Sequence, residues 1–218
     1  MGMGFNYIRM DQTAYADALN FQEALFKAAI DRKNKGKTSV NHLIFLEHSP
    51  VYTLGKSGDE KNLKVPVEET DAEFYRTNRG GDITYHGPGQ LTGYPIFDLS
   101  SFDMGVKQYV ETLEECIIQC ISEYGLKGER SKGTSGVWLD VGKKNERKIC
   151  AVGIKVSRGI SMHGFAFNIN TDLSYFENII PCGIENKGVT SLEKELGTNM
   201  AFSDVVKSLF LQFHRHFS

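Results

Sequence analysis

The apolar positions of this 218-residue chain fall into two periods. Over residues 106–124 they recur every three or four positions, at Val106, Val110, Leu113, Ile117, Ile121 and Tyr124, and Gly125 follows. That pattern predicts a helix with one buried stripe and a glycine stop. Residues 13–35 read the same way, with Leu19, Leu25, Phe26 and Ala29 as apolar positions and Gly36 at the end. Residues 203–217 read as a closing amphipathic helix, and Thr190-x-x-Glu193 as a capping box opening a short helix that Gly197 ends.

Extended segments are predicted at 42–47, at 51–54 beyond the break at Pro50, and at 94–99, 136–141, 148–156 and 162–169. The last two are joined through Ser157-Arg158-Gly159, a hairpin signal. Phe165, Phe167 and Ile169 alternate with smaller or polar residues, as in a strand with one covered face. Strands outnumber helices and the hairpin is antiparallel. The predicted class is therefore α+β, a mixed and mostly antiparallel sheet with packed helices. No linker, repeat or low-complexity tract interrupts the pattern, so residues 1–218 read as one domain.

Charge removes several function classes. The net charge is −2 with acids and bases interspersed, which offers no basic footprint for nucleic acid. No run approaches the ~20 apolar residues of a membrane span. The first twenty residues carry Arg9, Asp11 and Asp17 in place of an apolar signal core, and Asn6 occupies the position where a myristoylation site needs Ser or Thr. A cytoplasmic protein with reduced thiols is expected, and a chain of this length needs no metal or disulfide to fold.

Candidate chemistry centres on two places. Residues 79–91 hold four glycines and a proline, with Arg79, Asp82, Tyr85 and His86 set among them. Such a loop allows close backbone approach to a ligand. The second place is Cys182, between Pro181 and Gly183, which punctuate the chain and place the thiol on a loop. Cys116 and Cys120 lie on the apolar stripe of the 106–124 helix and read as core. A nucleophilic thiol needs a partner that favours the thiolate. His48, His86, His163, Lys148 and Lys155 qualify by type, and spacing does not choose among them. The histidines show no metal-ligand spacing, no Walker loop occurs, and no helix follows the glycine loop as a dinucleotide site requires. Neither metal nor cofactor is implied.

Six motifs occur in one order: Glu47-His48-Ser49-Pro50-Val51-Tyr52-Thr53-Leu54-Gly55, the 79–91 loop, Gly136-Val137-Trp138, Lys148-Ile149-Cys150-Ala151-Val152-Gly153, His163-Gly164-Phe165-Ala166-Phe167-Asn168, and Pro181-Cys182-Gly183. Together they resemble the octanoyltransferase family of lipoate synthesis, also called lipoate-protein ligase B, over nearly the whole chain. The resemblance implies the fold of the biotin and lipoate ligase catalytic domain. It also implies transfer of octanoate from octanoyl-acyl carrier protein to a lysine of lipoyl domains, those of 2-oxoacid dehydrogenases and of the glycine cleavage H protein.

Matched residue by residue, the resemblance makes Cys182 the acyl-carrying nucleophile and Lys148 the activating lysine, with Lys155 outside the motif. Substrate would be cradled by Arg79, Gly80, Gly81, Asp82, Ile83, Thr84, Tyr85 and His86, by Ala151, Val152 and Gly153, and by Gly164, Phe165 and Ala166, with His163 in support. Ser49 and Phe167 depart from the family's usual proline and leucine. Cys150, two residues from Lys148 on a strand, is expected on the lysine's side of the sheet. Two other readings are an ATP-dependent lipoate or biotin ligase on the same fold, which needs no cysteine nucleophile, and a non-catalytic lipoyl-domain-binding relative.

Overall fold

The computed structural model describes residues 4–180 and 187–218. In chain order its main elements are β1 (Asn6–Thr13), α1 (Tyr15–Asn34), β2 (His42–His48), β3 (Val51–Leu54), β4 (Glu73–Arg76), β5 (Ile83–His86), β6 (Gln90–Ile96), α2 (Val106–Ser122), β7 (Val137–Leu139), β8 (Arg147–Ser157), β9 (Ile160–Asn168), β10 (Gly188–Val189), α3 (Leu192–Leu196) and α4 (Phe202–His216). Among the described residues, seven strands form a main sheet in the order β1-β2-β6-β9-β8-β10, with β7 also on β8. A second sheet has the order β4-β3-β5. Pairing along β2-β6-β9-β8 is antiparallel, while β1, β10 and β4 join their neighbours in parallel. The α+β class holds.

Both faces of the main sheet are covered, where the alternation in 162–169 suggested one. Leu43 and Phe45 of β2 point into a core with Leu113 and Ile117 of α2 and Leu209 and Phe213 of α4. Ile44 and Leu46, on the opposite face, meet Phe26 and Ala29 of α1. Strands covered on both sides read as continuous apolar runs, which is why β6 and β9 are buried along their lengths.

The hairpin between β8 and β9 forms as predicted, with Arg158 and Gly159 at φ 53° and 78° in a two-residue turn. The stripe of α1 differs from the predicted one: it is Tyr15, Ala18, Gln22, Phe26 and Ala29. Leu19 and Leu25 flank it. Gln22 is buried there because its Oε1 accepts the backbone N–H of His163 at 3.2 Å. The predicted cap at Thr190 moves by one residue. Ser191 accepts the N–H of Lys194 at 3.2 Å, and the Thr190 hydroxyl donates to Glu195 instead.

Pairing between β7 and β8 slips by one residue, with Val137 opposite Cys150 and Trp138 opposite Lys148. The extra residue, Ile149, makes a bulge, and a bulge breaks the two-residue period of side-chain direction. The expectation that Cys150 shares a face with Lys148 fails for that reason. Cys150 is fully buried in the main core, and Lys148 opens onto the cavity described next.

Candidate active site

A cavity of about 430 Å³ is walled by residues of both sheets. Ala151 and Gly153 of β8 pair directly with Ala166 and Gly164 of β9, and all four line it. The two small pairs are alternate rungs of the ladder, separated by Val152 and Phe165, and leave space that larger side chains would fill. Residues 79–84 and His86 face this floor. The loop is seated by the Gly80 N–H, which donates to the Ile154 carbonyl at 2.8 Å. A Cβ at Gly153 would stand 2.9 Å from the Gly80 carbonyl oxygen and 3.3 Å from Arg79 Cδ. Glycine is therefore required there by the close approach of the loop to β8, independently of φ.

Only part of the glycine-rich segment is loop, since Ile83–His86 is strand β5, paired antiparallel with β3. Ile83, at its start, touches both the cavity and the small core behind the second sheet, and beyond it the side chains alternate. Thr84 and His86 line the cavity. Tyr85 turns instead into the small core behind the second sheet, stacked on Tyr175 with ring centroids 4.4 Å apart.

A continuous hydrogen-bond chain runs beneath the cavity. Arg79 Nη2 donates to the Thr53 carbonyl at 2.6 Å and to Thr53 Oγ1 at 2.9 Å. Thr53 Oγ1 lies 3.2 Å from His86 Nε2, and His86 Nδ1 lies 2.9 Å from Gln90 Oε1. The Gln90 amide nitrogen donates to the Tyr85 carbonyl and to Asn168 Oδ1, and Asn168 donates to the Thr190 carbonyl. An amide oxygen only accepts, so His86 carries its proton on Nδ1, and its Nε2 accepts a hydrogen bond from the Thr53 hydroxyl. Burial, with His48 and Arg79 nearby, holds the His86 pKa well below its ordinary value.

His48 follows the same logic. Its Nδ1 lies 2.8 Å from the Thr13 carbonyl, so Nδ1–H donates and Nε2 accepts the Tyr94 hydroxyl at 2.6 Å. Burial lowers its pKa to about 4. His163 occupies a left-handed backbone conformation, φ 60°. Its Nε2 lies 2.9 Å from Asn78 Oδ1, just before the Arg79 loop. Burial first, then Arg79 and Lys155, lower its pKa to about 3. All three imidazoles are neutral at pH 7 and serve as fixed hydrogen-bonding groups.

Lys148, 7% exposed, lines the cavity. Lys155 does not reach it: its Nζ lies 5.2 Å from the Phe26 ring centroid, against α1. Geometry thus separates two lysines that composition left equivalent. Cys116 and Cys120 are core residues, as predicted, and burial pushes the Cys120 thiol up to about 12. Burial pushes Cys116 and Cys150 up as well. Cys182 lies outside the described residues.

Of the remaining predicted residues, Arg79, Gly80, Gly81, Asp82, Ile83, Val152, Phe165 and His163 all line the cavity. The sequence reading missed Tyr15, Gln90, Tyr94 and Asn168, which line it too. A usable signal exists for Gln90 and Asn168. Each is a polar residue at the end of an apolar strand, Gln90 opening β6 and Asn168 closing β9, and buried polar groups need partners.

The model of the lipoyl protein ligase A/B catalytic domain matches residues 14–214. An octanoyltransferase of Parabacteroides distasonis is 54% identical over 215 residues, covering 95% of this chain and 97% of the relative. One from Christiangramia forsetii is 51% identical, covering 93% of this chain and 91% of its own length. Among solved structures, a bi-partite lipoate protein ligase from Thermoplasma acidophilum superposes with a TM-score of 0.73 at 17% identity, covering 99% of this chain and 84% of that one.

Proposed function

This chain belongs to the lipoyl protein ligase A/B catalytic domain family, and from that premise we propose that it transfers an octanoyl group in lipoate biosynthesis, with Cys182 as the acyl-carrying nucleophile and Lys148 as its proton-transfer partner. The observation that carries the reading is the position of Lys148 on the wall of a cavity floored by Ala151, Gly153, Gly164 and Ala166. The volume, about 430 Å³, falls within the range of small-ligand sites. Burying the methylenes of an octanoyl chain stabilises the bound state by about 5 kcal/mol at ~0.8 kcal/mol each.

The donor is octanoyl-acyl carrier protein, and the acceptor is a lysine of a lipoyl domain, on 2-oxoacid dehydrogenases or the glycine cleavage H protein. The Lys148 ammonium favours the Cys182 thiolate. The thiolate attacks the donor thioester, a new C–S bond forms, and the carrier's thiol leaves with a proton from Lys148. Neutral Lys148 then accepts a proton from the acceptor amine as that nitrogen attacks the acyl-enzyme. The amide forms and Cys182 is released as thiolate. Going from thioester to amide is downhill, so no nucleotide is consumed. An ATP-dependent ligase would have to form an adenylate, which this sequence of steps omits.

The test is intact-mass spectrometry after mixing the protein with octanoyl-acyl carrier protein and no ATP. A single octanoyl adduct is expected on the wild type and absent from Cys182→Ala. Lys148→Ala forms it slowly, and Lys155→Ala forms it normally. Wild-type turnover by Cys182→Ala, or a strict need for ATP, would overturn the proposal.

A further inference from the structure

The Gly136-Val137-Trp138 motif has no part in the steps above, yet Trp138 sits against the lysine they depend on. It is the only tryptophan in the chain and is 2% exposed. Its backbone is held on both sides. It is the ladder partner of Lys148, and its N–H and carbonyl exchange hydrogen bonds with Glu129 at 2.9 and 2.8 Å. Opposed residues in an antiparallel pair have Cβ atoms about 5 Å apart, so these two side chains leave the sheet as neighbours.

Lys148 Nζ lies 4.5 Å from the indole centroid, inside the distance at which a ring face attracts a cation. Lys187 Nζ lies 4.7 Å from the same centroid. Lys187 is fixed independently, 2.5 Å from Glu146 Oε1 and 3.0 Å from Ser131 Oγ. Glu146 answers the Lys187 charge, so two cations share one ring without an unbalanced repulsion.

The residue type is informative. The Trp138 indole N–H has no hydrogen-bond partner among the described residues. A buried donor without a partner destabilises the fold, and phenylalanine would avoid that cost. What tryptophan supplies in return is the strongest ring face for an ammonium.

We propose that Trp138 is a positioning residue whose indole face holds the Lys148 ammonium at the cavity wall. The inference rests on Lys148 acting in acyl transfer as described above. Proton transfer requires Nζ within hydrogen-bond reach of the reacting atom. A lysine stem samples many rotamers, and the ring selects those that keep the ammonium at the wall.

Because the chain has one tryptophan, biosynthetic incorporation of mono-, di- and trifluorinated tryptophan alters Trp138 alone. Fluorine drains the ring face of electron density with little change of shape. The expected result is a stepwise fall in kcat for octanoyl transfer, about tenfold by the trifluoro ring. KM for the donor and the thermal midpoint stay unchanged, and Lys187→Met protein shows the same fluorine dependence. Trp138→Phe, which keeps an aromatic face, retains more kcat than Trp138→Leu.

A flat kcat across the series, with Lys148→Ala slowed as expected, overturns the positioning role and leaves octanoyl transfer standing. Full activity in Lys148→Ala overturns the role of the lysine, and that of Trp138 with it. A fluorine dependence that disappears in Lys187→Met assigns the ring to Lys187 and likewise overturns the proposal.

Discussion

Replacing Thr53 with valine separates the polar chain beneath the cavity from the packing around it. Thr53 is fully buried on β3. Its hydroxyl accepts from Arg79 Nη2 at 2.9 Å and donates to His86 Nε2, 3.2 Å away. Valine keeps the shape and removes both bonds. Arg79 Nη2 retains the Thr53 carbonyl at 2.6 Å, so the loss on the arginine side is at the lower end for a charged hydrogen bond, about 1.5 kcal/mol. The buried imidazole acceptor left behind costs about as much again, for a total of about 3 kcal/mol.

Thr53→Ser is the companion variant. It keeps the hydroxyl and loses one buried methyl, about 1 kcal/mol. Urea unfolding at pH 7.5, where the buried His48, His86 and His163 are neutral, measures both, with unchanged m-values expected. Valine less stable than serine by about 2 kcal/mol supports the network. Valine equal to or more stable than serine refutes it, because packing alone would then decide the site. Arg79 and His86 line the cavity, so Thr53→Val should also raise KM for the octanoyl donor.

Acid should destabilise the protein in a window set by the buried imidazoles. His48 is lowered to about 4 from an ordinary 6.5, so between those values the unfolded chain binds a proton that the native one refuses. Its contribution is whole above pH 6.5 and falls by on the order of 3 kcal/mol as pH drops through 4. The expected loss between pH 6.5 and 5 lies above the range where most carboxylates titrate, and a flat urea midpoint there contradicts it. Cys116, Cys120 and Cys150 should resist iodoacetamide at pH 7.5 until the protein unfolds, since burial pushes all three thiols up; peptide mapping of native protein checks this. Gly136 has φ 121°, and a Cβ there would collide with the Cys150 carbonyl oxygen. Gly136→Ala is therefore expected to cost about 3 kcal/mol, read by thermal unfolding.

What the chain made legible was whatever repeats locally. The helices α2 and α4 and the β8–β9 hairpin follow from period and turn chemistry, and they formed within a few residues of expectation. Elements whose stability comes from partners far along the chain were invisible. Strand β1 is an edge strand with much of its length exposed, so it carries no apolar run to read. Strand β4 exists because it pairs in parallel with β3, a register that only the tertiary fold supplies. The stripe of α1 departs from the apolar pattern because Gln22 occupies its centre, and the bond its Oε1 accepts there comes from His163, 141 positions away.

The site divides along the same line. The Arg79 loop and the small residues of β8 and β9 stand out in sequence because glycine in quantity is rare in strands and marks close approach. Tyr85 lies among them in sequence, but its ring packs into the small core behind the second sheet. Thr53, Gln90, Tyr94 and Asn168 each look like one polar or amphipathic residue in an apolar strand. Their meaning lies in being joined: a neutral His86 is tolerable only if one nitrogen finds an acceptor and the other a donor, and the chain provides Gln90 and Thr53 from different strands. The bulge at Ile149 shows the same limit at one residue's resolution. Two residues separate Lys148 from Cys150, and strict alternation would send both to one face. The slipped pairing with β7 puts the lysine on the cavity and the thiol in the core, so the identity of the residue facing the cavity is fixed by the neighbouring strand that carries Trp138.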